Sequence, residues 1–541
     1  MNLRVVSSGP LAAGSQAHIR LSYRSDTPMQ PGARLWLFYD IRQDAGWVQS
    51  ENDRGENFIS VSPSDGEKMA VMTYGVVSRT LDLYPQVPEF LVLTEMVVGA
   101  GGLPAGQTMD ISIERWRVPL RPINPFRFWL VVDGEARWDF APTGYKSYRV
   151  FVHRGTGARV ASEIVAPHLM DAPIEVTGVY PAVPAADRCK RPGLFWGELH
   201  GMAFNQRPLD DFYNYAKQVA DLDFCAAMLF SYNTCVGNVW QQVKEAAKGH
   251  TVPGKFVAFV GFECGTPPDD SHRCAYFPEP EEVPPIFCDS RPPAQDPLLH
   301  ARFHPNTVFC STLDEFYATV RRYGGFVGGH FHTTTYDREV LAEMWQKQTF
   351  NVDEEARIFE YMLQGKGFAL VGGSDTHDSM PGNPDPEPSC PRPAGITGVW
   401  ADALTTKALA DAFLARRVFA TSGARMVLKF DSNGHSMGSE LPLSAPRVFR
   451  VSVDGTADLT SVELLRDGRP VETWNPGGRI LEAEFEDEVA HRGASSFYLI
   501  RVHQTDGHMG WSSPIWFGDT YGGLRNDVAG TGTYGVEARD P

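Results

Sequence analysis

The sequence predicts an α/β barrel flanked on both sides by β-sandwich-like regions. Three observations carry that expectation. The two ends of the chain read as short runs of Val, Leu, Phe, Tyr and Trp punctuated by Gly, Pro and Asp, the pattern of strands and turns. The middle third instead alternates apolar strand-like runs with segments of helical period, which implies parallel strands buried on both faces. All eight cysteines and eight of the fifteen histidines also fall in that middle third, between residues 189 and 390.

Taken in order, residues 1–190 form the first β-rich domain. Its strand candidates are Ala33–Arg42, Glu89–Val98, Asp110–Leu120, Phe126–Asp133 and Ser147–His153. Residues 191–425 form the barrel. Leu194–His200 is a strand, and Pro208–Asp221 is a helix with Pro208 suited to its first turn. Leu222–Phe230 is an apolar strand, Val239–Lys248 a helix and Lys255–Phe262 a buried strand. Thr312-x-x-Glu315 is a capping box that opens a helix to Arg322. Phe326–Gly329, Glu354–Gln364, Phe368–Gly373 and Leu404–Arg417 continue as strand, helix, strand and helix. Residues 426–541 form the second β-rich domain. There Arg447–Asp454 alternates, Ser461–Arg466 leads into an Asp467-Gly468 turn, and Ser496–Gln504 is another strand. The segment after Phe517 is Gly-rich and reads as a tail. Two Pro-rich stretches, ten prolines in Cys264–Ser311 and six in Ser379–Ala394, follow strand ends. In an α/β barrel they would wall or cover the active face.

Composition narrows the function classes. The formal charge of −17 repels phosphate backbones and argues against nucleic acid. There is no apolar run of 18 residues, so no transmembrane helix is expected, nor is a secretory signal expected. Cysteine-free flanks and a Cys-rich middle suit a reduced, cytoplasmic protein with all eight thiols free. The oligomeric state stays open.

The strand ends hold the candidate chemistry. His200 closes the first barrel strand, Glu263 another, and His330, with His332 two residues on, a third. Ser374, Asp375, Thr376 and His377 follow a fourth. Ends of parallel strands converge on one rim, and imidazoles with carboxylates are the ligand set of a borderline or hard divalent ion. Arg425 and Arg273 are candidates to hold an anionic substrate group, because a guanidinium fork matches phosphate or carboxylate.

Phe195-Trp196-Gly197-Glu198-Leu199-His200-Gly201, Gly261-Phe262-Glu263 and Gly373-Ser374-Asp375-Thr376-His377 together resemble the polymerase and histidinol phosphatase (PHP) superfamily, in its large multi-domain branch. Arg416–Gly423 and Trp511–Trp516 are further marks of that branch. The resemblance implies a distorted (β/α)7 barrel, divalent ions and hydrolysis of phosphoesters. It implies a first metal on His200, Glu263 and Asp375, and a second that shares Glu263 and adds His272 and His330. His377 belongs to a third. Met202 stands where the family has a second His, Ala203–Arg207 lacks its Asp, and Leu229-Phe230 replaces its Asp-His. One or two ions (Mn, Zn or Fe) are therefore expected rather than three. Spacing leaves open whether His330 or His332 ligates.

The expected function is a metal-dependent hydrolase in which metal-activated water attacks a phosphoester of a small molecule. Asp375 and His377 would move protons, and Arg425 would meet the substrate. Two alternatives stay open: metal-dependent hydrolysis or a lyase step on a non-phosphate substrate, and a non-catalytic binding protein with a decayed site.

Overall fold

The computed structural model describes residues 3–6, 11–12, 15–40, 49–63, 69–77, 91–118, 123–142, 149–156, 169–177, 191–203, 209–289, 301–330, 333, 336, 338–347, 352–376, 379–383, 392–488 and 495–518. The contacts divide the chain into two compact units, one built on residues 1–182 and the other on 183–203 and 207–541.

The first unit is all β among its described residues. A four-stranded sheet pairs Leu3–Val5, Gln16–Arg24, Thr108–Arg117 and Phe58–Pro63, and a six-stranded sheet is centred on Ile123–Asp133 and Arg34–Asp40. Alternation explains the core. Ile19, Leu21, Ile111 and Ile113 of one sheet and Leu35, Leu37, Phe128 and Leu130 of the other are buried in one cluster, as period-two side chains on a half-covered sheet must be.

The second unit carries the candidate site. Its strands are β1 (Leu194–Met202), β2 (Phe224–Met228), β3 (Val257–Thr266), β4 (Ser271–Phe277), β5 (Phe326–Gly329), β6 (Leu341–Trp345), β7 (Ala369–Gly372), β8 (Ile396–Trp400) and β9 (Val418–Thr421). They lie in a 15-stranded sheet in the order β7-β6-β5-β4-β3-β2-β1-β8-β9. From β9 the sheet continues through Met509–Ser512, Ser496–Gln504, Leu459–Arg466 and Arg469–Trp474. Six helices are described: α1 (Leu209–Gln218), α2 (Ser231–Thr234), α3 (Val239–His250), α4 (Leu313–Arg322), α5 (Val352–Leu363) and α6 (Thr406–Leu414).

This corrects the expected fold class. The described strands form a large mixed sheet, not a closed (β/α)7 barrel. The reason is local. At Pro267–Asp270 the chain turns straight back, so β3 and β4 form an antiparallel hairpin where a Pro-rich loop leading to the next helix was expected. The Pro-rich stretch read as a lid therefore begins as sheet. On the other side of β1, both β8 and β9 pair antiparallel, and the sheet runs outward into the C-terminal strands instead of closing on β7. The remaining parallel pairs are β1 with β2, β2 with β3, β5 with β6 and β6 with β7.

Local signals in the sequence do place some of the elements. The Thr312 hydroxyl accepts a hydrogen bond from the Glu315 backbone N–H at 3.2 Å at the start of α4. Thr312→Ala should cost about 1 kcal/mol, read as a lower urea midpoint; an unchanged midpoint would show that the cap adds nothing. Asp467 and Gly468 adopt φ of 53° and 78°, the two left-handed positions of a tight hairpin turn, between the paired strands Leu459–Arg466 and Arg469–Trp474.

The two late motifs act as buttresses. The Ser513 hydroxyl donates to the Val418 carbonyl at 2.6 Å and accepts from the Leu370 N–H of β7 at 3.1 Å. Trp511 Nε1 donates to Glu355 of α5 at 2.7 Å. The Arg416 guanidinium lies 4.7 Å from the centre of the Trp516 ring and pairs with Glu440 at 2.5 Å. The six described cysteines, at 225, 235, 264, 274, 288 and 310, are all free and buried.

Candidate metal centre

The parallel strands carry their C-terminal ends to one rim, and β1, β3, β5 and the turn after β7 each contribute a side chain there. His200 lies near the end of β1, Glu263 late in β3, His330 directly after β5, and Asp375 three residues after β7. The rim is drawn together by backbone bonds: Asp375 N–H donates to the His200 carbonyl at 2.7 Å, and Met202 N–H to the Thr376 carbonyl at 3.0 Å.

Donor atoms of His200, Glu263 and His330 lie within 4.8 Å of one another, and all three residues are buried. Within the group, His200 Nε2 is 3.4 Å from Glu263 Oε2 and 3.5 Å from Asp375 Oδ1. His330 Nε2 is 3.1 Å from Asp375 Oδ2 and 3.7 Å from Glu263 Oε1. Ligands about 2.1 Å from one ion stand about 3.0–3.5 Å apart at ordinary coordination angles, so most of these spacings match a shared coordination sphere. His200 Nε2 and Glu263 Oε2 are moreover buried with no hydrogen-bond partner. Such orphaned atoms are costly unless something binds them. These residues fit a divalent ion.

His272, across the hairpin on β4, donates from Nδ1 to Glu263 Oε1 at 2.7 Å, and its side chain is 20% exposed. It orients the carboxylate from the solvent side. His332 and His377 lie outside the described residues; of the pair that spacing left open, His330 is in the cluster.

The electrostatics follow from burial among charges. At Glu263, burial by itself would favour the neutral acid, but the imidazoles of His200 and His272 outweigh it and hold the carboxyl well below its ordinary pKa. At His200, burial opposes the charged ring, yet the polar surroundings of the Cys274 sulfur and the Glu343 and Asp375 carboxylates win and raise its pKa well above the usual value. Cys274, opposite Glu263 in the hairpin, is pushed up to about 12 by burial and stays a thiol.

Asp375 has φ of 51°, a left-handed conformation uncommon outside glycine, though more open to aspartate than to most residues, and steadied by its surroundings. Glu198 supplies that support. Its Oε1 accepts from the N–H of Ser374 at 2.7 Å and from the Ser374 hydroxyl, and its Oε2 accepts from the Gly382 N–H. Glu198 is fully buried, and burial raises its pKa to about 7 despite these three donors.

Several expectations change. Arg273 does not meet a substrate: neighbours on a strand point to opposite faces, and while His272 turns to the cluster, Arg273 is buried in a pair with Glu339 at 2.6 Å. It also bonds Tyr317 at 3.2 Å and Thr266. Arg425 donates from one nitrogen to the carbonyls of Ala220 at 2.6 Å and Asp221 at 3.1 Å, so that nitrogen closes a turn. The register of β1 against β2 shifts between Glu198 and Gly201. Such a bulge breaks simple alternation, so His200 and Met202 need not share a side.

Three contributors were not read from the sequence: Glu343 and Gln346 at the end of β6, and the holding role of Glu198. Leu341–Trp345 is a short apolar run with one carboxylate inside it. A buried-strand pattern interrupted by a single Glu was the available signal. Beside His272 stand Phe230 and Tyr232, stacked at 5.3 Å and 9°, with Phe230 6.3 Å from the His272 ring.

Residues 373–442 match a family described as "Protein of unknown function (DUF3604)"; the match contains Asp375 and the 416–423 motif. An uncharacterized protein of Chlamydia pneumoniae is 24% identical over 361 residues, 60% of this chain and 57% of that protein. An uncharacterized protein of Chlamydia trachomatis is 33% identical over 138 residues, 23% of this chain and 22% of that protein. The chain thus spans little more than half of the first relative and about a fifth of the second. Among solved structures, it is similar to one from Bacteroides vulgatus described as a two-domain protein containing predicted PHP-like metal-dependent phosphoesterase. The identity there is 11%, the coverage 61% of this chain and 97% of that one, and the TM-score 0.30, too low for the likeness to carry an argument. The chain resembles these proteins in part, and its buried His/Glu/His cluster brings together donor atoms close enough to hold a metal ion.

Proposed function

We propose that this chain is a metal-dependent hydrolase acting on a phosphoester of a small molecule. The observation that carries the reading is the pair of buried atoms without a hydrogen bond, His200 Nε2 and Glu263 Oε2, facing each other at 3.4 Å beside Asp375 and His330. His200, Glu263, His330 and Asp375 would hold one or two divalent ions, of Mn, Zn or Fe. When bound, such an ion supplies Lewis acidity: it polarises the attacked oxygen and makes water a nucleophile near neutral pH.

The chain's own residues set up the rest. Glu263 and Asp375 bring the negative charge that balances a dication. His272 orients Glu263 through Nδ1, and Glu198 fixes the Ser374–Asp375 turn. Because His272 is the most open of these groups, substrate approaches from its side. On sequence grounds Asp375 and His377 are the proton-transfer groups; Arg425, expected as a substrate contact, spends one nitrogen on the Ala220 and Asp221 carbonyls and would fill that role through another. The net charge of −17 supports a small-molecule partner over a nucleic acid, and the free cysteines support a cytoplasmic setting. No described helix is long and apolar enough to cross a membrane.

A second reading, hydrolysis or a lyase step on a non-phosphate substrate, is favoured by two observations. Arg273 is tied up in a buried ion pair, and an aromatic stack stands beside His272. The test is turnover by the metal-loaded protein of p-nitrophenyl phosphate, bis-p-nitrophenyl phosphate and p-nitrophenyl acetate. Phosphate-ester turnover that a chelator abolishes and Mn²⁺ or Zn²⁺ restores is the expected result. Turnover of the uncharged ester alone would select the second reading. A protein that binds no metal and cleaves none of the three would overturn both.

A further inference from the structure

We propose that Glu343 is the positioning residue of the metal centre: it fixes His200 with Nε2 as the ligating atom. The inference rests on the metal-centre reading above and adds a residue that neither the rim pattern nor the family resemblance supplied.

One hydrogen bond joins the two residues. His200 Nδ1 lies 2.6 Å from Glu343 Oε1, both side chains buried. A carboxylate can only accept, so the proton sits on Nδ1. In the neutral ring that a metal ion requires, the lone pair is then on Nε2, on the other side of the imidazole, and that nitrogen faces Glu263 Oε2 and Asp375 Oδ1. Glu343 therefore stands behind His200, away from the ion that Nε2 would bind. A carboxylate on the far nitrogen fixes the tautomer and ring plane of a ligating histidine and makes it a better donor.

Glu343 is itself held. Its Oε2 accepts from Gln346 Nε2 at 3.1 Å, and the same amide nitrogen lies 3.1 Å from His330 Nε2. One carboxylate and one amide thus link the two imidazoles of the cluster. A register shift between Glu343 and Trp345 on β6 is the kind of bulge that re-aims a side chain beside a site. The fold also keeps the space clear. A Cβ at Gly373 would come within 3.1 Å of both Glu343 Oε1 and the His200 Cβ, so a bare glycine lets the pair meet.

The experiment is metal titration of wild type, Glu343→Gln and Gly373→Ala, starting from metal-free protein whose fold is checked by circular dichroism. Co²⁺ serves as a second, spectroscopic probe. Wild type should bind Mn²⁺ or Zn²⁺. Glu343→Gln keeps size and shape but removes the charge behind Nδ1; it should bind 10- to 100-fold more weakly. At saturating Co²⁺ its visible absorption should shift, because the ligating ring is less basic and less fixed, an effect that a merely structural role would not produce. Gly373→Ala crowds the same contact while leaving Glu343 in place, and should weaken binding in the same direction. It decides the matter if Glu343→Gln does not fold. Wild-type affinity together with a wild-type Co²⁺ spectrum in a folded variant would overturn the role of Glu343 alone. Failure of the wild type to bind any of the metals would overturn the metal centre, and this inference with it.

Discussion

Glu263→Gln should empty the metal centre and abolish turnover while leaving the protein folded. Glu263 is the carboxylate at the middle of the cluster: Oε2 faces His200 Nε2, and Oε1 meets His272 Nδ1 at 2.7 Å and His330 Nε2 at 3.7 Å. The amide has the same shape, and its oxygen can still accept from His272, so packing on β3 is preserved. What disappears is the charge that offsets the ion. Loss of an outer partner of a ligand typically weakens metal binding 10- to 100-fold; loss of a central anionic ligand should weaken it by about 100-fold or more. Elemental analysis of protein purified in parallel, with melting followed by circular dichroism, reads both halves of the expectation. Wild-type metal content in the variant would make Glu263 a structural residue, and a collapsed fold would make it a core-packing one.

Glu198→Ala should be the most destabilising single change near the rim. Its carboxylate accepts from two backbone N–H groups and one hydroxyl, the two donors of Ser374 buried and that of Gly382 partly so. The Ser374 hydroxyl can turn elsewhere, but the N–H groups of Ser374 and Gly382 cannot. Each buried donor left unpaired costs about 1–3 kcal/mol, and the vacated volume adds more. A total of about 3–5 kcal/mol is expected, measured by urea unfolding. The same variant should lose metal affinity, because the Ser374–Asp375 turn, left-handed at Asp375, relaxes once its anchor is gone. Stability within 1 kcal/mol of wild type would show that the turn holds itself.

Individual elements were legible because their signals are local. The capping box at Thr312, the Asp467-Gly468 turn and the strand Phe326–Gly329 occupy the positions that short-range pattern gives them. The rim was legible for a related reason. A parallel strand delivers whatever follows its end to one edge of the sheet, so polar groups placed just after apolar runs announce themselves. His200, Glu263, His330 and Asp375 were all found by that logic. Arg273 was misread because strand parity, which sends it to Glu339 while sending His272 to the cluster, depends on the hairpin that β4 forms.

What the sequence by itself determined is part of the strands and helices, those with a strong local pattern such as β1 and the capped helix after Thr312, and the chemical type of the rim: imidazoles and carboxylates at strand ends, suited to a divalent ion. Only the tertiary structure decided how the strands pair. The antiparallel β3–β4 hairpin and the outward run of the sheet through β8 and β9 replace the barrel, because pairing depends on which edges meet in space and not on the pattern within any one strand. The tertiary structure alone also chose the partners behind the ligands. Glu343 and His200 are 143 residues apart, and Glu198 and Ser374 are 176 apart. No spacing rule reaches across such separations. These pairs exist because a buried imidazole and a buried peptide N–H each require a partner, and the fold brings those carboxylates within reach.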